Sequence, residues 1–216
     1  MRVKRGVLFD KELLTTEKTS AQSYLYFEGD VYRYEMNRVT NRWIEYGDKM
    51  RERPKEFDWF EGKRILLRRL VNRQQRLMAT LAIDTFVTNK NLYSIISAQT
   101  SAEAILGVLN SRLISFLYVN QIAQATKDDF PQVTIKDLVA LPFPKFDVTR
   151  HDQLVKFVER MLELRKQKQT AANEAARERI AREIALTDEK IDALVYELYE
   201  LSKEEIALVE GKPVSG

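Results

Sequence analysis

The period of the hydrophobic pattern changes at residue 101. Before it, short runs alternate apolar and polar side chains. After it, apolar residues return every three or four positions. Alternation places every second side chain on one face of a strand, whereas three-to-four spacing lines one face of a helix. Carrying both patterns in separate halves points to the α+β class: a small mixed or antiparallel sheet or barrel, followed by helices that pack on it. The pattern divides the chain into a strand-rich region, 1–150, with one helix at about 102–120, and a helical region, 151–216.

In the first region, YLYFEGDVYRYEM (24–36) reads as two short strands turning at Gly29-Asp30. NRWIEYG (41–47) is a third, and the polar stretch 48–62, with Pro54, is a connector. KRILLRRL (63–70), RLMATLAI (76–83) and NLYSIIS (91–97) follow as strands. Lone strands cannot bury a face, so they must share a sheet.

Ser101 opens the helical pattern without the acid of a capping box, since Ala104 stands three residues on, and Glu103 falls in the first turn. VTIKDLVAL (133–141) reads as a short strand or single turn, and LPFP (141–144) as extended chain. Beyond 151, Leu154, Val158 and Met161 line one stripe. A second stripe (Ile180, Ile184, Thr187, Ile191, Leu194, Leu198, Leu201) keeps a 4-3 spacing, the mark of a heptad seam. Either one long helix or a hairpin turning near 169–173 fits. The seam would close on the first stripe or, as a coiled coil, on a second copy in a homodimer. Ser202 and Glu205 form a capping box for a last helix ending near Val209.

The chain has no Cys, so it holds neither a disulfide nor a thiolate metal site. The N-terminus lacks the apolar run of a signal peptide, and no window approaches a membrane span, so the chain reads as soluble and cytoplasmic, with no membrane partner expected. Catalytic signatures are missing: no P-loop, G-x-G-x-x-G, G-x-S-x-G or H-E-x-x-H occurs, and the one His, His151, sits at an expected helix start as a solvated or capping residue. Asp84, Asp128 and Asp129 lack companion ligands at metal-binding spacing and read as turn residues. No catalytic residue and no metal ligand is assigned.

Charge is uneven. Residues 1–100 carry 19 Lys+Arg against 13 Asp+Glu, net +6, and the remainder carries 16 against 19, net −3. The strongest binding signal is GKRILLRRLVNRQQR (62–76), with Lys63, Arg64, Arg68, Arg69, Arg73 and Arg76 and no acid. As a strand it sets Ile65, Leu67, Arg69 and Val71 on one face and Arg64, Leu66, Arg68 and Leu70 on the other. Arginine stems can lie on apolar surface while their heads reach an anion. The competing expectation is pairing with Asp58, Glu61 or Asp84. Asn41, Arg42, Asn89 and Lys90, with Asn37, Arg38, Thr40, Asn72, Gln74, Gln75 and Asn91, are polar contact candidates beside the strands. Tyr32, Tyr34 and Trp43 read as core aromatics. Charge alone fits ordinary scatter as well as an anionic partner.

The order of segments narrows the choice. RWIEYG, KRILLRRL, RLMATL, TNKNLYSI, ILGVLNSRLISFLY, FPQVTIKDLVALPFP and IDALVYELYELSKEEIALVEG, in that sequence, resemble the TaqI-like C-terminal specificity domain over about residues 24–210. That family is the target-recognition part of adenine-specific DNA methyltransferases and of type IIG restriction–modification enzymes. The resemblance implies double-stranded DNA as partner and a non-catalytic role. It implies a separate methyltransferase domain or subunit that would hold S-adenosylmethionine. This chain shows no N-P-P-Y tetrapeptide and no glycine-rich cofactor loop. Lys63, Arg68 and Arg69 lie on the stretch that looks like the family's basic strand. The family often has Gly where this chain has Glu200, so the helix is expected to run on there. The rival reading is a protein–protein adaptor working through the C-terminal helices.

Overall fold

The computed structural model describes residues 1–71, 75–121 and 132–213. The architecture is α+β. A four-stranded antiparallel sheet has the order β1 (Arg2–Arg5), β9 (Leu92–Ile96), β7 (Arg64–Arg68), β8 (Ala79–Ala82). A three-stranded antiparallel sheet combines β2 (Leu14–Thr15), β6 (Trp43–Glu45) and β3 (Ser23–Leu25). β4 (Gly29–Tyr32) and β5 (Glu35–Arg38) form a separate hairpin. β1 was not legible in the sequence; it extends the sheet beside β9, with Arg2 opposite Ile96 and Arg5 opposite Tyr93.

The main sheet is covered on both sides, which is why Ile65, Leu66 and Leu67 run as consecutive apolar residues in β7. Ile65, Leu67 and Val71 face the largest core cluster, shared with the helices, while Leu66 faces a second cluster with Phe27, Val31 and Phe86. The alternation read from the sequence is thus the observed one. A third cluster (Val7, Tyr26, Ile44, Met50, Trp59, Phe60, Val87) fills the small three-stranded sheet.

The hairpin turns four residues later than the sequence suggests. Gly29 and Asp30 lie within β4, paired with Arg38 and Asn37, and the turn falls at Arg33-Tyr34, where Tyr34 takes φ +61°. Gly29 is there for close approach: a Cβ would come within 1.8 Å of the Asn37 carbonyl oxygen. Tyr34 is buried as expected, but Tyr32 is 39% exposed.

The expected helix over 102–120 is two: α1 (Ala102–Asn110) and α2 (Arg112–Gln121), bent by 59°. Ser111 causes the break. Its extended ψ of 157° leaves the helix, its hydroxyl donates back to the Val108 carbonyl at 2.7 Å, and its oxygen accepts the Ile114 N–H that opens α2. Ser101 caps α1 through the Ala104 N–H. Residues 133–141 form a short helix, α3 (Ile135–Ala140), capped by Thr134.

α4 (Val148–Gln169) and α5 (Glu174–Leu198) make the hairpin, Asn173 capping α5. The 4-3 seam is buried from Ile180 to Leu198 in the same cluster as Leu154, Val158 and Met161, so α4 occupies the face that a second copy would need. That cluster also holds α1 and β7, so the helical half and the main sheet share one core. Gly107 lets α4 approach: a Cβ would meet Leu154 and Val158 methyls at 2.9 Å. The helix does not run through Glu200. That residue adopts φ +54°, and the Leu201 N–H reaches back to the Tyr196 carbonyl, ending α5 as a left-handed cap. α6 (Lys203–Val209) follows with the expected capping box. Among the described residues, no single helix is long and apolar enough to cross a membrane.

Candidate nucleic-acid interface

The structure separates the ten sequence candidates. Arg64 is a correction: it is fully buried. Its guanidinium donates to the carbonyls of Gly62 (2.9 Å), Asp84 (2.9 Å) and Phe86 (3.3 Å) and lies 4.5 Å over the Phe86 ring. Burial lowers its pKa to about 10, opposed by Asp84 and Glu61, so it stays charged at neutral pH. It closes the loop between β8 and β9 from inside and cannot face an external phosphate. Arg76 is also turned inward, donating to the Asn110 carbonyl at 2.7 Å. Asn89 is a turn residue: its Oδ1 accepts the Asn91 N–H and its Nδ2 donates to the Tyr26 hydroxyl. Lys63 is paired with Glu103 at the start of α1. Arg42 is paired with Glu28, Nε lying 3.0 Å from Oε2, and Thr40 donates to the same carboxylate. These bonds hold the Glu28 pKa below the usual carboxylate range. Arg73, with Asn72, Gln74, Asp128 and Asp129, lies outside the described residues.

What remains outward gathers at two places. Arg68 ends β7 and reaches the open end of the β4–β5 hairpin, 3.8 Å from Asp30. Beside it the hairpin and its exit present Asn37, Arg38, Val39 and Asn41, all exposed, with the Arg38 guanidinium 5.1 Å over Phe86. On the opposite face of β7, Arg69 donates to the Gln132 side chain, and its backbone N–H bonds the Asn91 carbonyl, which brings the 89–91 turn and Lys90 alongside. Among the described residues, Arg38, Arg69 and Lys90 make no ion pair.

Reading by segment missed the buried charges behind this surface. Arg33 at the hairpin tip bonds both Asp188 oxygens, and Arg112 bonds Asp192 through its backbone N–H (2.8 Å) and Nε (3.1 Å). Burial raises the Asp192 pKa. The only sequence signal was a charged residue inside an aromatic turn, Tyr32-Arg33-Tyr34. His151 ties α4 to α1: Nδ1 lies 2.9 Å from Asp152, and Nε2 lies 3.0 Å from the Ser101 hydroxyl. With Nδ1 protonated toward Asp152, Nε2 accepts the serine proton, while the serine oxygen caps α1.

The main sheet is buried on both faces, is braced by helices, and carries cations and amides at its strand ends. The TaqI-like C-terminal specificity domain matches residues 24–143, more than half of the chain. The chain therefore belongs to that family. A Methanocaldococcus jannaschii protein named as a type II restriction enzyme and methyltransferase, RM.MjaORFECS2P, is 31% identical over 198 residues. The match covers 90% of this chain and 16% of that protein, so the chain spans about a sixth of its relative's length. Among solved structures, the type IIL restriction-modification enzyme MmeI, determined in complex with DNA, superposes with a TM-score of 0.64 at 12% identity, covering 95% of this chain and 34% of that one. The last likeness is one of fold.

Proposed function

We propose that this chain is the target-recognition part of a restriction–modification system that methylates adenine N6, and that it binds double-stranded DNA without performing chemistry itself. The observation that carries the reading is family membership joined to the relative's proportions: the match takes up a small part of a longer protein named for both activities. The methyl transfer, and the S-adenosylmethionine it consumes, fall to a methyltransferase domain or subunit acting beside this one in the cytoplasm. Two patches, Arg38, Asn41 and Arg68 on one side of β7 and Arg69 and Lys90 on the other, support the DNA-facing role, because cations fix register on phosphates while amides and guanidinium groups read base edges. Lys63 and Arg42 are half-exposed ion-pair members that could exchange a carboxylate for a phosphate. The adaptor reading has less support, since the C-terminal seam faces the chain's own core.

The test is binding of the chain to a pool of random duplexes across a salt series. Neutralised phosphates release counterions, so affinity should fall steeply with salt. Replacing Arg68 and Arg69 together with Ala should weaken binding about tenfold and flatten the salt slope by about one to two units. No binding to any duplex at about 50 mM salt would sink the reading.

A further inference from the structure

The β4–β5 hairpin has two ends in very different surroundings. Its open end carries Asn37, Arg38 and Val39 to the surface. Its closed end is held inside the molecule. Arg33 donates to Asp188 on α5 through both terminal nitrogens (Nη1 to Oδ2, 2.9 Å) and through Nε to the Asn110 carbonyl at 3.1 Å. The two side chains of that pair are only 16% and 19% exposed. The Tyr34 N–H bonds the Ala79 carbonyl at 2.8 Å. Glu35 accepts from Gln169 at 2.8 Å and stands 3.7 Å from Arg165 on α4.

We infer that Arg33 and Asp188 are positioning residues: by fixing the hairpin tip on α5, they set where the open end stands against DNA and so which bases are preferred. The inference rests on the proposed function. A ladder of four residue pairs is too short to hold itself rigid. Val31 anchors the middle of the hairpin in the core. Val31 alone would permit a swivel; Tyr34 and Glu35 hold the tip to β8 and α4, and the Arg33–Asp188 pair ties it to α5 and so fixes its direction. Val31 stands about 7 Å from the open end at the rise of a strand, so a swivel of about 20° about it moves that end by about 2 Å. That displacement exceeds the tolerance of a hydrogen bond to a base edge. Phosphate contacts made by long flexible side chains tolerate it better.

The experiment selects preferred sequences from a randomised duplex pool with the full chain and with Asp188→Ala, Asp188→Glu and Arg33→Lys, each also titrated with salt on a non-preferred duplex. Expected is an about tenfold loss of preference at a subset of base positions, the scale of one lost base contact, with non-specific affinity and salt slope held within about twofold. The double exchange Arg33→Asp with Asp188→Arg should recover part of the preference. Asp188→Glu covers the case in which Asp188→Ala fails to fold, because it moves the carboxylate by one methylene without removing it. A wild-type chain that selects a sequence, with variants that select the same one equally well, overturns the inference and leaves the proposed function standing. Uniform loss of affinity over all duplexes, in step with the folded fraction, overturns it too, since a purely structural role predicts that pattern. A wild-type chain that binds no duplex removes the proposed function and this inference with it.

Discussion

Arg64 opens β7 and Arg68 closes it, on one face of the same strand, with Leu66 between them. Arg64 is fully buried on three carbonyls and an aromatic ring, while Arg68 keeps 30% of its side chain in solvent and touches an acid only at 3.8 Å. Lys63, beside Arg64, is likewise tied down, by Glu103. Basic residues at one end of the strand hold loops in place; at the other end they remain free to meet an anion. A run of positive charge in a sequence therefore mixes two kinds of residue. What separates them is whether a loop happens to fold over them.

The largest effect belongs to the buried end. Arg64→Ala removes the bonds to Gly62, Asp84 and Phe86, leaves those carbonyls short of donors and opens a cavity beside Phe86. It should destabilise the chain by about 3–5 kcal/mol, read from the midpoint of chemical denaturation. A change within about 0.5 kcal/mol, the range of ordinary surface substitutions, would erase the contrast between the two ends.

Asp192 tests the buried charges on the helical side. It is 3% exposed and accepts the first N–H of α2 as well as the Arg112 side chain. Asp192→Ala should cost about 2 kcal/mol at neutral pH, as a lost cap with a lost ion pair. Asp192→Asn keeps the acceptor for the backbone N–H and should cost less. Burial raises the pKa of this carboxyl, so the folded state favours the protonated form. Its stabilising contribution is full below the unfolded pKa and is lost as pH rises through the folded value. The stability difference between wild type and Asp192→Asn should thus shift in favour of the variant from about pH 4 upward. A difference that stays constant with pH would show that Asp192 is not held against its ionisation.

Local rules carried the sequence reading well wherever a single segment decided the outcome. β6, β7 and β9, the Ser202–Glu205 capping box and the 180–198 seam stand where alternation, capping chemistry and heptad spacing put them. The break between α1 and α2 is a local effect of Ser111, but the hairpin turn and Arg64 were missed because partners from elsewhere in the chain decide the outcome. The hairpin turn lies at Arg33-Tyr34 because Asp188 and Ala79 receive it there. Arg64 is internal because residues 84–86 close over it. Candidate contacts were legible as a pool of polar loop residues, but hydrogen bonds inside the fold chose among them, turning Arg76 to the Asn110 carbonyl and Asn89 to Tyr26 and Asn91 and leaving Arg38 outward. Glu200 sharpens the point, because resemblance marked a glycine position there and the backbone indeed takes φ +54°. Glu200→Gly should stabilise the chain by about 0.5–1 kcal/mol by relieving a left-handed side chain, seen as a higher denaturation midpoint. A loss of stability would mean that the Glu200 side chain contributes more than its backbone costs.

The smallest stability effect is expected at the outward end of β7, and it completes the contrast with Arg64. Arg68→Ala removes a partly exposed guanidinium whose ion-pair partner among the described residues, Asp30, is itself 56% exposed. Pairs of that kind contribute about 0–1 kcal/mol, so the variant should unfold within about 0.5 kcal/mol of wild type. Duplex binding should respond differently. Loss of one phosphate contact lowers affinity for every sequence alike and reduces the salt slope by about one unit, whereas loss of a base contact lowers it for some sequences only. Denaturation and binding, measured on the same protein, therefore place Arg68 on one side or the other: stable and weak in binding marks a residue kept for a partner. A variant that unfolds several kcal/mol earlier would mean that Arg68, like Arg64, is part of the frame and not a residue kept for a partner.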